Sequence, residues 1–288
     1  MAEHINGPLY WEQLGKSGLP VAFVHPNPMD HTCWIYQMAH LSTWFRCIGI
    51  DLPGYGKSPK ASPGLTMRDI AQACWEAIEE VTSDRAIIVG ESVGSSVVQH
   101  MANMRPEQTL AVVVSGTGFG GNKEFTVKRR REYGARGVAF RFDHTFQDYS
   151  APFRATPLAS YFARIFVERN RWADANTIVE MFRALGEPDP EWLHSGIKAP
   201  MLVITGSEDN SHDSTWELQR NVPDCEVVTI GGAGHSCNME QPWEWDAIFL
   251  DFLQRRGLFE GVGADIASTG APILRDKTPA RVGPDPRL

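Results

Sequence analysis

Gly90-Glu91-Ser92-Val93-Gly94 fits the pattern G-x-S-x-G and stands where residues 85–89, which read as a buried strand, give way to a helix starting at Val93. No other stretch narrows the choice of fold as much. A serine on so sharp a strand-to-helix turn takes strained backbone dihedrals and projects its hydroxyl outward. Gly90 and Gly94 remove side chains that would collide where strand and helix approach. The helix that follows aims its first N–H groups at negative charge developing beside the serine. So short a pattern also arises by chance, and its weight depends on the rest of the chain.

The rest of the chain supplies a strand–helix rhythm. Residues 20–25, 45–51, 110–115, 200–206 and 226–231 are short apolar runs that read as buried strands, and 9–14 alternates weakly, as an antiparallel edge strand would. Trp34, Met38, Leu41 and Trp44 recur at helical spacing, and Thr66 is a fitting N-cap for a helix over 66–81 with Ile70, Cys74, Ile78 and Val81 on one face. Further helices are predicted from Val93 to about Met104 and over 243–252. Wholly apolar strands alternating with helices imply an α/β fold with a mostly parallel sheet covered on both faces.

The rhythm breaks once. Between residues 117 and 198 there are helical patches over 123–133, 157–169 and 176–185, with no convincing strand. We take residues 1–116 and 199–256 as the core and 117–198 as a helical cap over the carboxyl ends of the strands, where open α/β sheets bind ligands. Residues 257–288 turn to glycine, proline and polar types and read as a C-terminal extension lying along the surface or mobile.

Composition excludes several function classes. A net charge of −8 argues against nucleic acid or an anionic membrane as the main partner. Cys33, Cys47, Cys74, Cys225 and Cys237 are scattered, with no C-x-x-C, and fit reduced thiols better than a disulfide framework or zinc site. The first residues lack a basic start and apolar run, and no stretch reaches the length of a membrane span. The expectation is a cytoplasmic protein acting on a small-molecule substrate, with a homodimer left open.

A serine hydroxyl needs a base, and the base needs an orienting acid. Among nine histidines, His235 stands out because it follows a strand in the small-residue loop Gly231-Gly232-Ala233-Gly234. Asp209 follows the strand over 200–206, with Glu208 and Asp213 as neighbours that can serve instead. The order Ser92, Asp209, His235 is that of one serine-hydrolase architecture. Here the chain resembles the α/β-hydrolase-fold serine hydrolases over residues 9–252. The resemblance rests on the elbow at Ser92, on Asp51-Leu52-Pro53-Gly54-Tyr55-Gly56-Lys57-Ser58, on Gly206-x-x-Asp209, and on Gly234-His235 ahead of Glu240-x-Pro242.

The resemblance implies Ser92 as nucleophile, His235 as base, Asp209 as orienting acid and no cofactor or metal. It also implies an oxyanion hole from the Asn27 and Val93 amides. The chain has His25-Pro26-Asn27-Pro28 where the family usually has His-Gly, so Asn27 carries the one backbone donor of the Pro26–Pro28 triplet. The same loop is similar to the halide-binding loop of haloalkane dehalogenases, but those enzymes need an aspartate where this elbow carries Ser92.

Pocket candidates are His25, Met29, Trp34, Glu91, Phe140 and Phe146; the aromatics of 117–198 suit a hydrophobic or aromatic acyl or alcohol group. Rival signals are weaker. Gly116-x-Gly118-x-x-Gly121 with Asp143 downstream mimics a dinucleotide fingerprint but does not open a βαβ unit, and a hinge explains its glycines more simply. Lys128-Arg129-Arg130-Arg131 can clamp a carboxylate, although such a run is usually a solvated helix face. His31 beside Asp30 has no evident third metal ligand. The expected reaction is hydrolysis of a carboxylic ester or lactone through an acyl-enzyme. C–C or amide bond hydrolysis on the same residues, or a catalytically silent ligand-binding member of the fold, are the alternatives.

Overall fold

Eight strands form one sheet in the order β1-β2-β4-β3-β5-β6-β7-β8: β1 (Ala2–Glu3), β2 (Trp11–Leu14), β3 (Pro20–Val24), β4 (Arg46–Ile50), β5 (Ala86–Glu91), β6 (Thr109–Ser115), β7 (Met201–Gly206) and β8 (Cys225–Ile230). They belong to a computed structural model that describes residues 2–3, 9–60, 63–117, 123–170 and 173–260. β1 and β2 pair antiparallel, and so do β2 and β4. Every other pairing is parallel. The chain has the α/β-hydrolase fold.

Parallel strands buried on both faces explain the continuous apolar runs. Along β3, Ala22 and Val24 join the core under α2 (Met67–Val81) and α3 (Val93–Met104). Val21 and Phe23 face the opposite core, under α1 (Ile35–Leu41) and α12 (Pro242–Arg255). Thr66 caps α2 through a capping box with Asp69, as its sequence position predicts. All five cysteines are free, and four are buried. No helix among the described residues is long and apolar enough to cross a membrane.

Between β6 and β7 the described residues form helices and one 3-10 turn, without a strand: α4 (Lys123–Arg136), α5 (Phe140–Gln147), α6 (Ala151–Arg154), α7 (Pro157–Arg169), α8 (Ala175–Leu185) and α9 (Trp192–Ser195). Two more helices, α10 (His212–Asn221) and α11 (Cys237–Glu240), follow β7 and β8. Sequence periodicity predicts α4, α7 and α8 but not α5, α6, α9, α10 or α11. α10 buries only Thr215 and Leu218 and so leaves no apolar stripe to detect.

The inserted helices are tied to the loops at the sheet edge. Asp30 accepts from Arg169 Nε at 2.8 Å, and Gly56 N donates to Asn170 Oδ1 at 2.8 Å. Gly54 adopts φ +85°, and a Cβ there would stand 2.4 Å from Thr177 Cγ2 of α8. Gly118 and Gly121, and residues 261–288 of the C-terminal extension, lie outside the described residues.

Candidate active site

The parallel register sets where the side chains of interest gather. Val24 lies opposite Gly90, Glu91 opposite Ser115, and Ser115 opposite Ile204. The loops after β3, β5, β6, β7 and β8 therefore leave the sheet along one edge, the carboxyl edge.

Ser92 sits between β5 and α3 at φ 52°, ψ −116°. It is the one non-glycine residue of positive φ among those described, and such strain persists only where neighbours enforce it. Here Ser92 N donates to Ser115 O at 2.9 Å. Ser95 Oγ reaches Gly90 O at 2.9 Å and Ser115 O at 3.0 Å. A Cβ on Gly90 would fall 2.2 Å from Gly94 O, and one on Gly94 would fall 2.3 Å from Val24 O. The two glycines of the motif are thus required by backbone contact on both sides of the turn.

His235 is held from below and behind. Its backbone N donates to Asp148 O at 2.8 Å, and its Nδ1 meets Asp209 Oδ1 at 3.0 Å. A carboxylate at Nδ1 fixes the proton there and leaves Nε2 as the basic nitrogen. Asp209 is buried and accepts further bonds from Ser211 N at 2.9 Å and Ser211 Oγ at 2.8 Å. Burial opposes its ionisation, yet the His235 charge and these hydrogen bonds hold its pKa below the usual value. Burial likewise opposes charge on His235, and Asp209, then Asp148 and Glu91, outweigh it and raise its pKa. The other two acid candidates are engaged elsewhere: Glu208 Oε2 accepts from Ala151 N at 2.9 Å, and Asp213 is fully exposed beside His212.

Ser92, Asp209 and His235 line one cavity of about 430 Å³. α4 and the turn after α5 supply Phe125, Thr126, Arg129 and Asp148 to its wall, and Leu185, Asp189 and His194 extend it. The basic run of α4 is divided by the helix: Lys128, Arg130 and Arg131 are exposed, while Arg129 turns inward. Its guanidinium meets Glu132 at 3.1 Å, Gln147 at 3.3 Å and Asp148 at 3.3 Å. Most of the lining residues are of polar type, while Phe125, Leu185 and the carbon of the polar side chains keep much of the wall apolar.

None of the six sequence-derived pocket candidates lines this cavity. His25 is buried, with Nδ1 on Pro26 O at 2.8 Å and Nε2 accepting from Leu52 N at 2.9 Å, which makes it neutral and structural. Met29 and Trp34 belong to the core under α1, where Trp34 packs on Phe23 and Trp245. Phe140 packs within the inserted helices on Tyr133 and His144, and Phe146 stacks on Phe142. Glu91 is fully buried and is not on the cavity wall. Of the aromatics of 117–198, Phe125 reaches the cavity, while Phe140 and Phe146 pack within the insertion and Phe162 and Phe166 join the core under α1. Asp148 escapes sequence reasoning, and Arg129 is visible there only as one of a basic run, because the helix register and the fold of the following turn bring them to the cavity.

Of the oxyanion candidates, Val93 is the first helical residue and its N–H has no intrahelical partner. Asn27 is buried, and its Oδ1 accepts from Tyr55 Oη at 2.5 Å. The Gly94–Val24 approach brings the start of α3 against the end of β3, from which the Asn27 loop departs. His31 bridges two acids, with Nδ1 on Asp51 Oδ1 at 2.7 Å and Nε2 on Glu12 Oε2 at 3.0 Å. Asp51 also accepts from Lys57 N at 2.9 Å, and a Cβ on Gly56 (φ +51°) would fall 2.0 Å from its Oδ2. Asp30, His31 and Asp51 bring ligand-type atoms within 4.8 Å of one another. Hydrogen bonds from Thr32, Arg169 and Lys57 already engage these carboxylates, so the cluster is an ion-pair network.

Comparison with known proteins gives a consistent picture. A model of the alpha/beta hydrolase family matches residues 21–245. An AB hydrolase superfamily protein of Bacillus subtilis (strain 168) is 26% identical over 267 residues, 87% of this chain and 96% of its own. An enol-lactonase from Burkholderia xenovorans LB400 has TM-score 0.78 at 20% identity, covering 85% of this chain and 96% of its own. A malate-bound thermophilic esterase from Thermogutta terrifontis has TM-score 0.76 at 24% identity, covering 86% and 93%. Structural likeness at such identity speaks for the fold.

Proposed function

The chain belongs to the alpha/beta hydrolase family, and on that premise we propose that it is a serine hydrolase cleaving a carboxylic ester or lactone of a small substrate. Ser92 Oγ attacks the carbonyl carbon while His235 Nε2 takes its proton, and Asp209 stabilises the imidazolium. The Asn27 and Val93 amides receive the oxyanion. Collapse expels the alcohol, protonated by His235, and leaves an acyl group on Ser92. Water, deprotonated by His235, then releases the acid and restores the serine. Residues 117–198 act as the cap that selects the substrate.

The observation that carries this reading is the positive-φ Ser92 on the wall of the same cavity as the hydrogen-bonded His235–Asp209 pair. The mixed lining, with Phe125 and Leu185 beside Arg129, Asp148 and Asp189, fits a substrate that has both an apolar part and a polar group. The similar enol-lactonase and esterase fit ester or lactone chemistry.

The test is turnover of a p-nitrophenyl ester together with labelling by a fluorophosphonate. Ser92→Ala is expected to abolish both. Asp209→Asn is expected to lower kcat by about 10⁴-fold, while Glu208→Gln and Asp213→Asn leave it unchanged. An unlabelled Ser92 in folded protein, with no turnover of any ester or lactone, overturns the proposal.

A further inference from the structure

Glu91 precedes the elbow serine, is fully buried, and has no part in the chemistry above. Neither of its carboxylate oxygens has a donor in full hydrogen-bond geometry. A buried carboxylate without a partner is costly, and an apolar residue would fill a purely structural position at lower cost. Ser92 turns its hydroxyl to the cavity, and Glu91, one residue earlier on β5, turns the other way. Its neighbours Ser236 and Asn238 belong to the segment that carries His235. The Ser236 and Asn238 side chains lie beside Glu91 and favour its charged form, although neither meets it in full hydrogen-bond geometry.

We propose that Glu91 is a positioning residue for His235: a second carboxylate that shares with Asp209 the stabilisation of the imidazolium formed when Ser92 loses its proton. This rests on His235 being the general base. Asp209 acts through a hydrogen bond at Nδ1, whereas Glu91 acts through space, and the two differ in availability. Asp209 stays ionised. Glu91 is pushed up to about 7 by burial, with the His235 charge opposing that rise. Its negative charge is therefore present on the alkaline side of neutrality and absent on the acid side, and the basicity of His235 steps with it.

The ionisable groups around Glu91 leave His235 as the cation it can serve. Asp148, from the turn after α5, bears on both and is itself pushed up to about 6 by burial. Tyr149 beside it, Cys33 from the turn before α1, and Cys237 of α11 are all raised by burial, with Glu91 adding to the rise. These three stay neutral through the working range, so the titrating set is His235, Glu91 and Asp148.

The experiment is the pH profile of kcat/KM for a p-nitrophenyl ester in the full-length protein. Glu91→Gln is expected to move the acid limb to lower pH by about one unit, with KM within about twofold of the parent. Glu91→Asp is expected to restore the limb. A limb unmoved by Glu91→Gln overturns the proposal. If the glutamine variant does not fold, the His235 imidazole is titrated by NMR in Ser92→Ala. A second inflection that survives an added Asp148→Asn supports the coupling, and a single-site curve in that protein overturns it. Because that titration needs no turnover, it separates failure of this inference from failure of the serine mechanism.

Discussion

A methyl group at Gly94 would lie 2.3 Å from Val24 O and 2.9 Å from His25 O, both backbone atoms that cannot swing aside. Gly94→Ala is therefore expected to destabilise the fold by about 3 kcal/mol or more, read as a lowered Tm and urea midpoint. It should also lose most activity, because the start of α3 and the Asn27 loop are pushed apart. An unchanged Tm would show that α3 can slide without cost. The same contacts explain why the elbow was legible from residue identity alone: glycine at those two positions is demanded by local backbone approach. Asp209 was legible by its place after a strand, although Glu208 and Asp213 competed until the structure brought Asp209 alone of the three to His235. Arg129 and Asp148 were not legible, since nothing in a run of four basic residues says which one the helix turns inward. Glu91 was visible as a residue and silent as a role, because its surroundings come from three separate segments, around Cys33, Asp148 and His235.

The elements divide in the same way. Apart from β1, which has two residues and no pattern to read, the strands lie within a residue or two of expectation, and α2, α3 and α12 are all foreseen, α12 with its last turn missed, because burial on one or both faces writes itself into the sequence. α4 was found in part, although its buried side, Thr126, Arg129 and Tyr133, is mostly polar and carries no hydrophobic pattern. α7 has a functional consequence at its end. Arg169, about two-fifths exposed, donates to the fully buried Asp30, which also caps the turn that begins at His31. That bond joins the inserted helices to the segment just after Asn27. Arg169→Ala leaves the Asp30 carboxylate without its charged donor and is expected to cost about 1–2 kcal/mol. The more telling readout is kinetic: KM for the ester should rise several-fold, with kcat within about twofold, if residues 117–198 hold the substrate. Equal KM values would confine the bond to folding.

For the whole molecule, the pH range of stability follows from the buried network between β2, the loop after β4 and the turn at His31. Burial opposes charge on His31, but hydrogen bonds to Asp51 and Glu12 prevail and push its pKa up to about 10 from 6.5. A folded-state pKa above the unfolded one means that the folded protein holds the proton more tightly. The stabilisation is complete below about pH 6.5 and drains away as pH climbs towards 10. Asp51 has the opposite sign: burial opposes its ionisation, His31 outweighs that, and its pKa is lowered. Its contribution is present above its unfolded value and lost as pH falls. The two together favour a Tm maximum in mildly acidic solution, with a decline between pH 7 and 10. His235, raised by Asp209, declines over the same range, so His31→Gln should flatten the alkaline slope without abolishing it. The variant should also lose several kcal/mol at neutral pH, because Asp51 is left buried without its cation. Tm measured across pH 5–10 in both proteins decides the point: parallel curves would mean that His31 is neutral in the folded chain and that the network is held by hydrogen bonds alone.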